Sequence, residues 1–227
     1  MNLHGGTTFS VGVLVLATTG LLTSVASAQD AALVDDTQAT EETVEVLPVT
    51  PTSADVTPDV IADLRQFVDT EIVRASIANQ NKKHAGMSEG DILALDDTWR
   101  AERKADSQPL IAATLTNPLS SYLTRVQAQA IGLYTEIFVV DAIGLNVGQS
   151  GVTSDYWQGD EAKFQKTYPI AADAVFVDEP EFDDALGIWR TQVNMTVADA
   201  SGTDAIGAVT IEVNLSELQR RQSVSPL

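Results

Sequence analysis

The chain has 227 residues, no cysteine and a formal net charge of −19 at pH 7. Such a negative charge disfavours binding to nucleic acids and to anionic membrane surfaces, whose phosphates attract Lys and Arg. The lack of cysteine excludes disulfides and thiolate metal sites, so the fold must be held by its hydrophobic core.

The amino-terminal segment has the pattern of a secretory signal peptide. Residues 1–28 contain no Lys, Arg, Asp or Glu, and an apolar run at 9–22 precedes Ala26-Ser27-Ala28. This run is shorter than the roughly 20 residues that span a bilayer. We therefore predict cleavage near Ala28 and a periplasmic or secreted protein without a later membrane span. An uncleaved membrane anchor is the alternative.

Residues 29–57 are acidic, rich in Thr and Pro, and free of Lys and Arg. This composition predicts a disordered acidic linker, with an edge strand at 44–49 as the alternative.

Helices are predicted from residue 58 onward. Thr57-Pro58 is a cap followed by proline at the first helical position, and apolar residues three and four apart predict a long helix to about Asn81. Ser88 and Asp91 resemble a capping box at the start of a second helix. Further helices are expected at 109–115 and after the cap Asn117-Pro118.

From Leu133 the pattern is that of β-strands. Residues 133–141 are rich in β-branched and aromatic side chains, and a D-x-x-G turn and a short strand complete a hairpin. A strand is expected at 174–177, an acidic loop at 179–187, and a second hairpin from two strands at 188–199 and 205–215. The predicted class is α+β, with an antiparallel sheet of about five strands and a long amino-terminal helix packed on one face.

Two segments together carry a family resemblance. They are VVDAIGLNVGQSGVTSDYWQGDEAKFQKT at 139–167 and IWRTQVNMTVADASGTDAIGAVTIEVNLSEL at 188–218. Their order and spacing, after a long helix, resemble the Cache family of extracytoplasmic sensor domains, which are PAS-like and also called PDC sensors. The resemblance covers 58–218, most firmly 133–215, and leaves 219–227 as a flexible tail.

The resemblance implies a pocket for a small ligand on the sheet face opposite the long helix, covered by a helical insertion. Family members usually pass a binding signal to a kinase, cyclase or chemotaxis domain. Because no membrane helix or output domain follows in this sequence, we expect a stand-alone form that works with a separate membrane receptor. A homodimer through the long helix is a further expectation.

The candidate site residues lie in two places. On the strand at 188–198, apolar side chains alternate with Arg190, Gln192 and Asn194, which the resemblance places at the pocket. Arg190 suits a carboxylate, and the two amides suit hydrogen bonds that orient a ligand. The alternative is a polar face open to water.

The second place is the stretch Asp155-Tyr156-Trp157, at the head of a helix predicted at 159–166. The two rings would either form a wall of the pocket or anchor the insertion by packing.

Catalytic chemistry is disfavoured by the residue inventory. His84 is the one histidine after residue 28, and neither a G-x-S-x-G motif nor a phosphate-binding glycine loop is present. The acidic stretch 178–184 lacks the glycine of a calcium loop, so a solvated loop is favoured. We therefore expect a non-enzymatic domain without cofactor or metal that binds a small polar molecule, such as a carboxylate or amino acid. The alternative function is a structural or interaction module with a degenerate pocket.

Overall fold

The structure is a computed structural model that describes residues 50–224, so the predicted signal peptide and most of the predicted linker lie outside the described residues. Its helices are α1 (Pro58–Val68), α2 (Glu71–Lys83), α3 (Glu89–Glu102), α4 (Pro109–Leu115), α5 (Pro118–Gln129), α6 (Ala162–Gln165) and α7 (Leu215–Val224). Its strands are β1 (Tyr134–Val140), β2 (Asn146–Gln149), β3 (Val175–Val177), β4 (Glu181–Asp183), β5 (Ile188–Ala198) and β6 (Ala205–Asn214). No helix in this range is long and apolar enough to cross a bilayer.

The predicted helix starts are confirmed by their caps. The Asn117 side chain accepts a hydrogen bond from the Ser120 N–H at 2.8 Å. Ser88 and Asp91 form the expected capping box, with their side chains 2.6 Å apart. These caps satisfy backbone N–H groups that have no partner within the helix.

The long amino-terminal helix is interrupted in its middle. Thr70 is extended, with φ −111° and ψ 157°, and separates α1 from α2. The Phe67 carbonyl, which would accept the Glu71 N–H in a continuous helix, instead accepts the hydroxyls of Tyr122 at 2.9 Å and Thr70 at 3.2 Å. Both helices still pack on the same side of the sheet.

The sheet is antiparallel with the order β2-β1-β6-β5-β3, and β4 pairs with β5 beside β3. The α+β class and the antiparallel sheet expected from the sequence are confirmed. Two details differ from the prediction. The acidic loop predicted at 179–187 contains strand β4, and the helix predicted at 159–166 is the single turn α6.

The two faces of the sheet are chemically different. Val193, Met195 and Val197 of β5 point to the helical side, as predicted, and are fully buried there with Trp189 packed alongside. Leu64, Ile77, Leu119 and Leu123 come from the helices to meet them. The helices cover the apolar face of the sheet, and residues 150–187, here called the covering segment, lie over its polar face.

The packed region extends beyond both predicted boundaries. Val56 is buried in the main core, and Gln219 hydrogen-bonds Asp55 at 3.3 Å. Arg221 donates to the carbonyls of Ala130 and Ile131. Residues 219–224 therefore continue α7, so the flexible tail predicted from residue 219 would begin inside a helix.

Candidate functional site

A polar cavity lies against the face of the sheet opposite the helical layer. It has two adjoining lobes of about 260 and 330 Å³, which share Lys163, Glu181, Arg190, Gln192 and Glu212. Glu136 and Phe138 of β1 extend the floor, and Thr153, Ser154 and Gln158 form a wall. The floor side chains come from three adjacent strands because alternate residues of each strand point to the same face.

One row of the floor places two acids side by side. Glu136 of β1 is the register partner of Glu212 of β6, and Glu212 is the partner of Gln192 on β5. Directly opposite side chains in a sheet are about 5 Å apart at Cβ, and like charges there are destabilising. The floor therefore carries a like-charge pair.

Arg190 neutralises only one of these two acids. Its Nη1 donates to Glu212 Oε2 at 2.8 Å, and its guanidinium lies 3.5 Å from Asp183 and 3.7 Å from Glu181. Hydrogen bonding to Glu212 raises the pKa of Arg190 above its ordinary value, so the group stays charged. The Arg190 Nε reaches Asp183 at ion-pair distance without a hydrogen bond.

Glu136 is half-buried and has no hydrogen bond or ion pair to another described side chain. Burial raises the pKa of Glu136 and the charge of Glu212 raises it further, whereas the nearby charges of Lys163 and Arg190 offset part of this rise. The other cation of the cavity, Lys163, pairs with Glu161 at 3.0 Å, and its ammonium lies 5.4 Å from the centre of the Phe138 ring. The free carboxylate of the floor is thus Glu136.

The wall of the cavity contains a buried amide with an unused acceptor. Gln158 is 1% exposed, its Nε2 donates to the Asp155 carbonyl at 3.0 Å, and its Oε1 has no partner among the described residues. Thr153 next to it accepts a hydrogen bond from Asn146 at 2.8 Å. Buried polar atoms without a partner are uncommon in folded proteins.

The residues predicted on β5 divide between two places. Arg190 and Gln192 line the cavity. Asn194 lies beneath it, fully buried, where it accepts the Thr210 hydroxyl at 2.7 Å and donates to the Phe176 carbonyl at 3.2 Å. Its polar groups are used within the sheet, so Asn194 does not line the cavity.

The residues predicted at 155–157 point away from the cavity. Tyr156 is buried against Trp99 of α3, with ring centres 5.2 Å apart, and its burial raises the pKa of Tyr156 to about 12. The Trp157 indole donates to the Ile143 carbonyl at 2.8 Å, and Asp155 pairs with Arg100 at 2.9 Å. Of the two roles left open for the aromatic pair, the structure places both rings in the packing that anchors the covering segment.

Of the fifteen residues that line the two lobes, only Arg190 and Gln192 were predicted from the sequence; the missed residues include Glu136, Gln158, Lys163 and Glu212. Glu212 could have been found, because it alternates with the apolar residues Ile211 and Val213 of a predicted strand. Glu136 could not, because an unbroken apolar run at 137–140 follows it and hides which face is polar. Gln158 and Lys163 belong to the covering segment, whose path has no periodic signal.

Neither a protein-family model nor a curated protein matches this sequence. Among solved structures, the chain is similar to the ligand-binding domain of the Pseudomonas aeruginosa PAO1 amino acid chemoreceptor PctC in complex with GABA, at 13% identity and a TM-score of 0.33. That match covers 73% of this chain and 65% of the PctC domain. The chain is also similar to the sensory domain of the Campylobacter jejuni chemoreceptor Tlp3, at 9% identity and a TM-score of 0.37, over 77% of this chain and 68% of that one.

Proposed function

We propose that this chain is a non-catalytic, extracytoplasmic domain that binds a small molecule in the cavity over the polar face of the sheet. One observation carries the proposal: the cavity floor holds charged and amide side chains that the covering segment takes partly out of water. Burying charge costs free energy unless a partner compensates it. A concave site with a few convergent polar groups is the usual form of a small-ligand site.

The non-catalytic role is supported by where the one histidine of the described residues lies. His84 contacts Asp141 at 2.8 Å on the turn between β1 and β2, and neither residue lines the cavity. The extracytoplasmic location rests on the signal-peptide pattern of residues 1–28. The role as a sensor-type domain that serves a separate receptor rests on the family resemblance of residues 133–215.

A thermal-shift screen of the purified chain against small amines, amino acids, carboxylates and Ca²⁺ tests the proposal. A ligand at about 100 times its Kd stabilises the native state by about 2.7 kcal/mol. For a domain of this size, that raises Tm by roughly 5–10 °C. Gln192→Ala should reduce the shift, whereas Gln66→Ala on the exposed side of α1 should preserve it. If no compound shifts Tm, the proposed function is wrong.

A second candidate is an interaction module that works through protein contacts. It is favoured by exposed apolar side chains near β4, where Phe182 is 44% and Leu186 is 62% exposed and Phe182 packs on Trp189 at 5.4 Å. This candidate predicts no ligand shift, together with self-association or receptor capture that Phe182→Ser abolishes. Analytical ultracentrifugation of the native chain and of Phe182→Ser measures self-association and so separates the two functions.

A further inference from the structure

We infer that the cavity selects a small organic cation, with its ammonium group bound at Glu136. The inference rests on the proposed function, because it assigns a ligand class to the same cavity. It replaces the carboxylate ligand that Arg190 suggested in the sequence.

The first support is the charge of the lining. The two lobes are lined by six carboxylates and two cations: Glu136, Glu161, Asp178, Glu179, Glu181 and Glu212 against Lys163 and Arg190. A concave site lined by one sign of charge raises the local concentration of ligands of the opposite sign. An anion would enter against this field.

The second support is that Arg190 is already engaged. The Nη1 of Arg190 holds Glu212, which is 8% exposed, and the remaining Nε–Nη2 edge faces Asp183 at 3.5 Å and Glu181 at 3.7 Å. A ligand carboxylate at this edge would have to displace these two acids, and taking Nη1 from Glu212 would leave a buried carboxylate without its partner, which is unfavourable. Arg190 therefore serves to hold Glu212 rather than to receive a ligand.

The third support is the position of Glu136. Its carboxylate faces Glu212 across two paired strands, where a like charge destabilises the empty protein. A bound ammonium would compensate Glu136 in the way that Arg190 compensates Glu212. Binding would therefore relieve the repulsion between Glu136 and Glu212, which adds to the affinity for a cation.

The fourth support is the chemistry of the wall. The unpartnered Oε1 of Gln158, a residue 1% exposed, is an acceptor and matches the N–H groups of an ammonium. Residues 50–224 contain no group of three His, Cys, Asp or Glu side chains that could hold a metal ion, which favours an organic cation.

Isothermal titration with a matched four-carbon series tests the inference: 1,4-diaminobutane, γ-aminobutyrate and succinate. The thermal-shift screen extends the test to ligands of other sizes and shapes. It uses the same amines, amino acids and carboxylates, with Ca²⁺ as a separate probe. We expect the ligands that bind to be amines. Glu136→Gln should weaken their binding by about tenfold or more, whereas the control Asp97→Asn, which removes an exposed charge on α3, should not.

Arg190→Ala supplies an independent arm, with its folding checked by circular dichroism. A cation should still bind this variant, since the cavity becomes more negative, whereas a carboxylate held by Arg190 would no longer bind. If carboxylates bind the native protein best, or Glu136→Gln leaves amine binding unchanged, the inference is wrong and the proposed function survives. If Ca²⁺ alone binds, the organic cation is likewise rejected. If nothing in the library binds, both the organic-cation inference and the proposed function are wrong.

Discussion

The carboxylate of Asp96 on α3 accepts hydrogen bonds from the backbone N–H groups of Tyr156 at 2.8 Å and Trp157 at 3.1 Å. Its other oxygen pairs with Arg100 at 2.7 Å, and Arg100 in turn reaches Asp155. A helix outside the sheet thus fixes the loop that supplies Thr153, Ser154 and Gln158 to the cavity wall. The cavity therefore depends on residues that do not line it.

Asp96→Ala should destabilise the protein by about 2–4 kcal/mol, because the buried N–H of Tyr156 and the partly buried N–H of Trp157 lose a charged acceptor. The measurement is urea unfolding, with amide hydrogen exchange at residues 153–158 reporting the loosened loop. The neighbouring exposed Asp97→Ala should change stability by less than about 0.5 kcal/mol. Equal stability of the two variants would show that α3 does not anchor this loop.

Gly144→Ala should be more destabilising than Gly202→Ala, although both glycines have positive φ, at +83° and +74°. A Cβ at residue 202 would meet nothing within 4 Å, so the left-handed backbone alone costs about 1–2 kcal/mol. A Cβ at residue 144 would come 2.5 Å from the Gly159 Cα, which adds about 1–3 kcal/mol of overpacking. Denaturant unfolding of the two variants compares these costs directly, and similar losses would contradict the close approach of the two loops.

Glu136→Gln should stabilise the empty protein at pH 7 by roughly 0.2–1 kcal/mol, because it removes the like charge opposite Glu212. Folding raises the pKa of Glu136 above its ordinary 4.5, so the folded chain holds this proton more tightly than the unfolded chain. The stabilising contribution of protonated Glu136 is present below pH 4.5 and is lost as pH rises through the raised pKa. The advantage of the glutamine should therefore shrink to nothing as the solution is acidified. An advantage that is constant with pH would have another cause.

Glu217→Gln should weaken the protein near neutral pH but not in strong acid. Hydrogen bonds from Arg220 and Arg221 lower the pKa of Glu217 to about 2 from an ordinary value of 4.5. The stabilisation is therefore complete above pH 4.5 and is lost as pH falls towards 2. Urea midpoints at pH 7, 4.5, 3 and 2 for the native chain, for the variant and for Asp97→Asn measure this, and a difference at pH 2 as large as that at pH 7 would refute the assignment.

The element types follow from local chemistry, and for that reason they were predictable. Proline and side-chain caps set the starts of α1, α3 and α5, and period-two alternation separated the apolar from the polar side of β5. The break at Thr70 was not predictable, because the Tyr122 hydroxyl that bonds the Phe67 carbonyl beside it lies 55 residues further along the chain. Strand β4 was hidden for a similar reason, since its pairing with β5 overrides the acidic composition of the segment.

The sequence by itself determined the charge, the fold class and the presence of Arg190 and Gln192 on the polar side of the sheet. These properties depend on composition and on short-range periodicity, which a single strand or helix already carries. Only the tertiary structure decided that Arg190 pairs with acids of the protein itself, because Glu212, Asp183 and Glu181 reach it from other strands. It also turned Tyr156 and Trp157 towards α3 and left Glu136 without a hydrogen bond or ion pair to a described side chain, because the partners of a cavity residue come from segments distant in the chain.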